Sequence, residues 1–239
     1  MIQISEKIFC DEFLHTAVRE NKLLPNPYNE YPYLIIENFI SPLESEAIAS
    51  AVAQESNECE AEVKSTVMES VVLPSVNKEI RKTTLSTVPT LFETLYAQRF
   101  LKHQKEIERF FGMGLTTATP LQILVYKAGD FYIKHSDDSS EIVDSDGNTV
   151  GFKCIAPERK LTTVLFGTSH KRESFDDKYS FDGGELVFNY LYDERRKPVT
   201  LYPKAGDMVV FFSNPFFSHE VKPVKSGYRL TLVQWYNAL

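Results

Sequence analysis

His135, Asp137 and His219 are the residues of this chain whose types and spacing could do metal chemistry. Two imidazoles and a carboxylate form the donor set of a facial triad, which holds a non-haem Fe(II) and leaves the other octahedral positions open. Those positions suit a chelating co-substrate and O2. Arg229 follows His219 by ten positions. A guanidinium there can donate two charge-assisted hydrogen bonds to the far carboxylate of a dicarboxylate co-substrate. The tripeptide His135-Ser136-Asp137 is weak by itself, because such motifs arise by chance. The distal histidine, the arginine and the strand-rich context together make the pattern specific.

Residues i and i+2 of a strand point to the same face, so FYIKHSD offers His135 and Asp137 to one ion from one strand. The segments HEVKPV and YRLTLV flank Lys225-Ser226-Gly227 and predict a hairpin. In that hairpin His219, Arg229, Thr231 and Val233 share parity and face inward, with Arg229 deeper than His219. The gap between the ion and the arginine then matches a five-carbon 2-oxo diacid, with Thr231 beside the guanidinium. Trp235 continues the parity and is expected to pack in the core. Tyr132 and Thr163 approach the pocket only if they face inward, which the sequence leaves open. Asp138 either accepts a hydrogen bond behind the metal ligands or faces solvent.

The elements that position these residues follow from turn and cap signals. Residues 1–30 end in the Pro/Asn-rich LLPNPYNEYP and read as an N-terminal extension, leaving 31–239 as one domain. Tyr33–Ile40 is expected to be a strand. Ser41-Pro42-Leu43-Glu44 then starts a helix with a cap, a proline at the first helical position and a capping-box acid. Residues 55–88 resist assignment. A second helix is predicted from near Pro89 to Phe111, with Leu91, Phe92, Leu95, Tyr96, Ile107, Phe110 and Phe111 as its apolar side and Gly112 as C-cap.

From Thr119 the chain reads as strands: LQILVYKAG, FYIKHSD, KLTTVLFG, GELVFNYL, VTLYPK, DMVVFF, HEVKPV and YRLTLVQWY. Gly, Asp, Asn and Pro mark the turns, including DSDGN, PKAGD and KSG. The expected class is α+β, with helices backing a mainly antiparallel jelly roll whose mouth suits a small-molecule site. No internal repeat or low-complexity tract is evident.

Composition narrows the function classes. A net charge of -7 over 239 residues argues against a general phosphate-binding surface, so nucleic acid is a disfavoured partner. Three widely spaced cysteines, Cys10, Cys59 and Cys154, fit reduced thiols in a cytoplasmic setting. No run reaches the roughly 18 apolar residues of a membrane helix, and no signal peptide is evident. Asp144-Ser145-Asp146-Gly147-Asn148 starts like a calcium loop, but Ile155 stands where the closing Glu belongs, so a hairpin turn is expected. His170 lies in a charged loop and reads as solvated; His15 and His103 read as surface groups.

The chain resembles the Fe(II)- and 2-oxoglutarate-dependent dioxygenases, in their prolyl-4-hydroxylase-like branch. The likeness runs over roughly residues 31–237, through YLIIENFIS, YKAGDFYIKHSD, GGELVF, PKAGDMVVFF and, most specifically, HEVKPVKSGYRLTLVQWY. It implies a double-stranded β-helix core, iron held by His135, Asp137 and His219, and the distal 2-oxoglutarate carboxylate on Arg229. It also places Tyr126 where a tyrosine commonly assists that carboxylate. The implied reaction hydroxylates an unactivated C–H as 2-oxoglutarate and O2 become succinate and CO2, with ascorbate a possible reductant. Collagen-type relatives usually carry Lys where this chain has Arg229. The polar segment SSEIVDSDGNTVGFKCIAPER is longer than in many relatives, so a prolyl residue, a free amino acid and a small metabolite all stay open as substrates. Asp137 argues against halogenation, which needs that carboxylate gone. The competing readings are a nucleic-acid dealkylase on the same core and a non-catalytic metal- or ligand-binding β-barrel. Oligomeric state is not legible.

Overall fold

The computed structural model describes residues 8–10, 33–54, 58–60, 63–67, 71–75, 80–146, 149–173, 179–193 and 195–239. All eight strands expected after Thr119 are present. They divide between two sheets. The larger runs in the order Leu34–Ile36, Met208–Phe212, Leu161–Phe166, Arg229–Ala238, Gln122–Tyr126, Thr84–Ser86, Glu58–Glu60, with Leu115–Ala118 also pairing on Arg229–Ala238. The smaller runs Pro198–Leu201, Leu186–Tyr192, His219–Val221, Phe131–His135, Arg81–Lys82. The pairings within both are antiparallel.

Alternation along the strands separates two cores. On Arg229–Ala238, Val233 and Trp235 point toward the smaller sheet, into a cluster with Tyr126, Phe166, Phe188 and Phe211. Leu230, Leu232 and Tyr236 point the other way, against Ile48, Val52, Phe92 and Phe100 of two helices. The large sheet is therefore buried on both faces, which accounts for the unbroken burial of Leu161–Phe166. The site belongs to the first core; the helices brace the second.

Helix α1 (Pro42–Gln54) opens with the expected capping box: Ser41 N donates to Glu44 Oε2 at 2.7 Å and Glu44 N to Ser41 Oγ at 3.3 Å. Arg99 Nη2 also donates to Glu44 at 2.7 Å, tying α1 to α2 (Thr90–Phe111). Gly112 ends α2 at φ 67°, its N–H donating to Glu108 O. The apolar side of α2 differs from the expected one in two places. Leu91 is exposed, while Phe100 is buried and stacks on Tyr236 at 4.3 Å between ring centroids. An amphipathic stripe fixes a face only approximately, and the aromatic partner decides its edge.

The predicted hairpin of HEVKPV with YRLTLV does not form. His219–Val221 pairs with Phe131–His135 and Leu186–Tyr192 in the small sheet, while Arg229–Ala238 pairs with Gln122–Tyr126 and Leu161–Phe166 in the large one. Between them Pro223 has no N–H to continue a ladder, and Val224–Gly227 pairs with Phe181–Gly183. His219 and Arg229 still converge, because each sits on the inner face of its own sheet.

The long polar segment forms a β-hairpin of Ser139–Val143 with Thr149–Cys154. Asp146 N donates to Asp144 Oδ1 at 3.0 Å, the mark of an Asx turn rather than a calcium loop. Gly147 and Asn148 of that expected turn lie outside the described residues. Lys134, next to His135, donates to Thr149 Oγ1 at 3.1 Å and pairs with Glu141 at 3.2 Å, fixing the hairpin beside the candidate site. Ile8–Cys10 adds a third strand against Gly151–Lys153; the rest of the expected N-terminal extension, His15 included, lies outside the described residues. Cys154, the last residue of that hairpin, is half-buried.

Candidate functional site

His135 and His219 are directly opposed across adjacent antiparallel strands, which puts both rings on one face. Asp137 follows just past the strand end. His135 Nε2 lies 4.0 Å from Asp137 Oδ1, and His219 Nε2 lies 4.0 Å from Asp137 Oδ2. The three donor atoms all fall within 4.8 Å of one another. Each ring is oriented by the chain itself: Nδ1 meets Ile133 O at 2.8 Å in His135 and Phe217 O at 2.9 Å in His219. A carbonyl there requires the proton on Nδ1 and leaves the Nε2 lone pair for a metal. Burial, then the neighbouring His219, pushes the His135 pKa well below its usual value, so the imidazole is neutral, as ligation requires. This donor set fits a divalent iron.

The carboxylate is steered by a residue the sequence reading missed. Thr162 Oγ1 donates to Asp137 Oδ2 at 2.6 Å and lies 2.9 Å from Ser213 Oγ. Thr163, left open in sequence, faces the helices, with Tyr96 OH at 2.7 Å and Gln234 O at 2.9 Å. The period-2 rule says that Thr162 and Thr163 point opposite ways but not which points where. Asp138 is an acceptor in the supporting structure, receiving Ser136 Oγ at 3.2 Å and Ser139 Oγ at 2.6 Å, and burial pushes its pKa up to about 6.

Deeper in the same core, Arg229 is 2% exposed and is the cross-strand partner of Tyr126, over whose ring its guanidinium lies at 4.8 Å. Its Nε donates to Gly184 O at 2.8 Å. Neither Nη is bonded to a described residue. Burial lowers the Arg229 pKa while Tyr126 and Glu185 raise it; an arginine nevertheless keeps its proton. A buried cation with its fork unengaged calls for an anion, which fits the far carboxylate of 2-oxoglutarate. Thr231 is buried two residues further along the same face. Gly184 lies four residues before Phe188, the partner of His219, so the guanidinium sits deeper along the barrel than the metal donors.

At the outer side Tyr132 does face inward, stacked on His135 at 3.5 Å between centroids, with the Arg81 guanidinium 4.8 Å from its ring. Burial pushes the Tyr132 pKa up to about 12, keeping the phenol protonated. Arg159 Nη1 donates to the backbone carbonyl of Asp137 at 3.0 Å, and its guanidinium lies 4.0 Å above the Trp235 ring. Trp235 is a core residue as expected, but its Nε1 and the Nε of Arg159 are buried donors with no described partner. Arg159 was lost to sequence reading inside the polar segment.

His170 is not the solvated residue expected. It is buried edge-on between Phe181 and Tyr202, with ring centroids at 5.6 and 5.1 Å. His103 is a half-exposed partner of Glu106 on α2, near the surface as expected.

A family model for the 2OG-Fe(II) oxygenase superfamily matches residues 121–237, the stretch that carries every proposed ligand. Several solved prolyl hydroxylases share the architecture. The viral collagen prolyl hydroxylase of Paramecium Bursaria Chlorella virus-1, in complex with 2OG, superposes with a TM-score of 0.55 at 18% identity, over 88% of this chain and 97% of that one. The prolyl hydroxylase of Trichoplax adhaerens, bound to a hypoxia inducible factor oxygen degradation domain peptide fragment, gives 0.57 at 16%, over 95% and 88%. A Pseudomonas putida prolyl-4-hydroxylase gives 0.55 at 19%, over 95% and 97%. No curated protein matches the chain in sequence. Likeness at these identities is one of fold, a double-stranded β-helix backed by helices. Among the described residues, no helix is long and apolar enough to cross a membrane.

Proposed function

We propose that the chain, whose residues 121–237 match the 2OG-Fe(II) oxygenase superfamily, works as a member of it and hydroxylates an unactivated C–H of a prolyl residue in a peptide or protein. The family works with Fe(II), 2-oxoglutarate and O2, and the chain is a 2-oxoglutarate-dependent dioxygenase. In our reading His135, Asp137 and His219 hold the iron, and Arg229, with Tyr126 and Thr231, holds the far carboxylate of the co-substrate. Bound together, the iron and co-substrate supply the oxidising power that breaks the C–H bond. The chain supplies the rest. Neutral imidazoles fixed through Nδ1 keep the ligand geometry, Thr162 holds the carboxylate at Oδ2, and Arg229 sets the depth at which the co-substrate sits.

The prolyl reading is supported by two buried donors with no described partner close to Asp137, Arg159 Nε and Trp235 Nε1. A prolyl residue offers a backbone carbonyl acceptor and no N–H of its own. Such an acceptor would satisfy one of these buried donors. The net charge of -7 continues to argue against the nucleic-acid dealkylase. Three widely spaced cysteines with no CxxC pair suit a reducing compartment, which we read as the cytoplasm.

The test is Fe(II)-dependent succinate formation with a proline-containing peptide, the same peptide with alanine for proline, and free proline. The proline peptide alone should stimulate turnover and gain one oxygen atom by mass. Stimulation by free proline alone would replace the peptide reading with an amino-acid hydroxylase.

A further inference from the structure

A second buried histidine lies on the far side of the turn that holds Arg229. His170 Nδ1 accepts the backbone N–H of Arg172 at 3.1 Å, so the neutral ring carries its proton on Nε2. That Nε2 is buried without a hydrogen-bond partner, 3.6 Å from Glu185 Oε1 and 4.0 Å from Asp182 Oδ1. Asp182 is the more exposed of the two and is shared with Lys225 at 4.0 Å, which leaves Glu185 as the principal counterpart. The ring itself is well seated: Phe181 and Tyr202 flank it, Arg172 covers Tyr202 at 4.0 Å, and His170 N donates to Pro203 O at 2.7 Å.

Glu185 is the neighbour of Gly184, whose carbonyl accepts from Arg229 Nε, and its charge acts on Arg229. This creates a conflict. A carboxylate beside a guanidinium whose fork is unengaged is drawn into a bidentate pair, and that pair would occupy the groups an incoming carboxylate needs. We infer that His170 is a positioning residue that holds Glu185 off the Arg229 fork and so keeps the co-substrate pocket open. The inference rests on the assignment of Arg229 to 2-oxoglutarate made above. At 3.6 Å the contact is electrostatic rather than a hydrogen bond, so His170 steers a charge more than it fastens a group.

The experiment is anaerobic calorimetric titration of 2-oxoglutarate into the Mn(II)-loaded protein, for wild type, His170→Phe, Glu185→Gln and the double variant. Phe keeps the ring packing and removes the donor; Gln keeps the shape of Glu185 and removes the charge. His170→Phe should weaken 2-oxoglutarate binding about tenfold, as Glu185 turns onto Arg229. Glu185→Gln should bind at least as tightly as wild type, and the double variant should regain that affinity, because the competing carboxylate is gone. An inert His170→Phe overturns the inference, and so does a double variant that stays weak, which would mark His170 as packing alone. If His170→Phe does not fold, Glu185→Gln decides: weakened binding overturns the proposal, and unchanged or tighter binding upholds it. Arg229→Ala, run alongside, separates the two levels. Should it bind 2-oxoglutarate normally, the pocket assignment itself falls; should it lose binding while His170→Phe does not, only the role of His170 falls.

Discussion

His135 and His219 differ from His170 in one backbone contact, and that contact reverses what the ring can do. In the first two, Nδ1 faces a carbonyl two residues upstream, so the proton sits on Nδ1 and Nε2 is a lone pair. In His170, Nδ1 faces an amide two residues downstream, so Nε2 carries the proton. All three rings reach toward carboxylates at 3.6 to 4.0 Å. Only the first pair can share one with a metal, since a ring accepting at both nitrogens would have to be an imidazolate. Proximity to acids therefore says little about a histidine; the partner of its other nitrogen says more.

The two kinds of histidine should diverge most in metal binding. His219→Ala should strip the iron and cut turnover by about a thousandfold or more, whereas His170→Phe should retain a wild-type metal content. Elemental analysis of the purified proteins settles this, and metal loss in His170→Phe would erase the distinction. A smaller effect is expected one bond away. Thr162→Val removes the hydroxyl on Asp137 Oδ2 and should weaken metal binding about 10- to 100-fold with the fold intact, read by Mn(II) titration.

Next comes the turn between the two regions. Gly184 adopts φ +64°, and a Cβ there would stand 2.9 Å from Arg229 Cδ and 3.0 Å from Val224 Cγ2. Gly184→Ala should cost about 1–3 kcal/mol of stability and raise the KM for 2-oxoglutarate several-fold, with metal content unchanged. Denaturant unfolding and a KM measurement check both halves. The smallest effect belongs far from either histidine. Glu44→Gln removes the capping-box charge and should cost about 0.5–1 kcal/mol without altering co-substrate binding. The Ser41 N–H, chiefly, holds the Glu44 carboxyl below its usual pKa, so its contribution is complete above the unfolded pKa of about 4.3 and fades as pH falls through the lower folded value. The variant's melting temperature should approach that of wild type on the acid side.

What was legible in the sequence was local. The capping box, the Gly112 cap, the eight strands after Thr119 and the shared parity of Arg229, Thr231, Val233 and Trp235 depend on neighbours within a few residues, and all of them are present. The same KAGD tetrapeptide makes two turns, with Gly129 at φ 85° and Gly206 at φ 91°. What was not legible depends on which strand lies beside which. The HEVKPV–YRLTLV hairpin failed because a turn signal cannot reveal that Phe181–Gly183 competes for Val224–Gly227. Thr162 was missed because alternation fixes relative, not absolute, facing. His170 sits in a charged stretch, and only its long-range neighbours Phe181, Tyr202 and Glu185 bury it.

The strand Ile8–Cys10 carries a practical consequence. It covers the outer edge of Thr149–Cys154, whose other edge is taken by Ser139–Val143. A chain trimmed to begin at residue 31 would leave that edge's amides and carbonyls open to the same edge of another copy. Such a truncation should self-associate through the hairpin nearest the proposed iron ligands, so a shortened protein that elutes as a dimer would report a lost strand, not a native assembly.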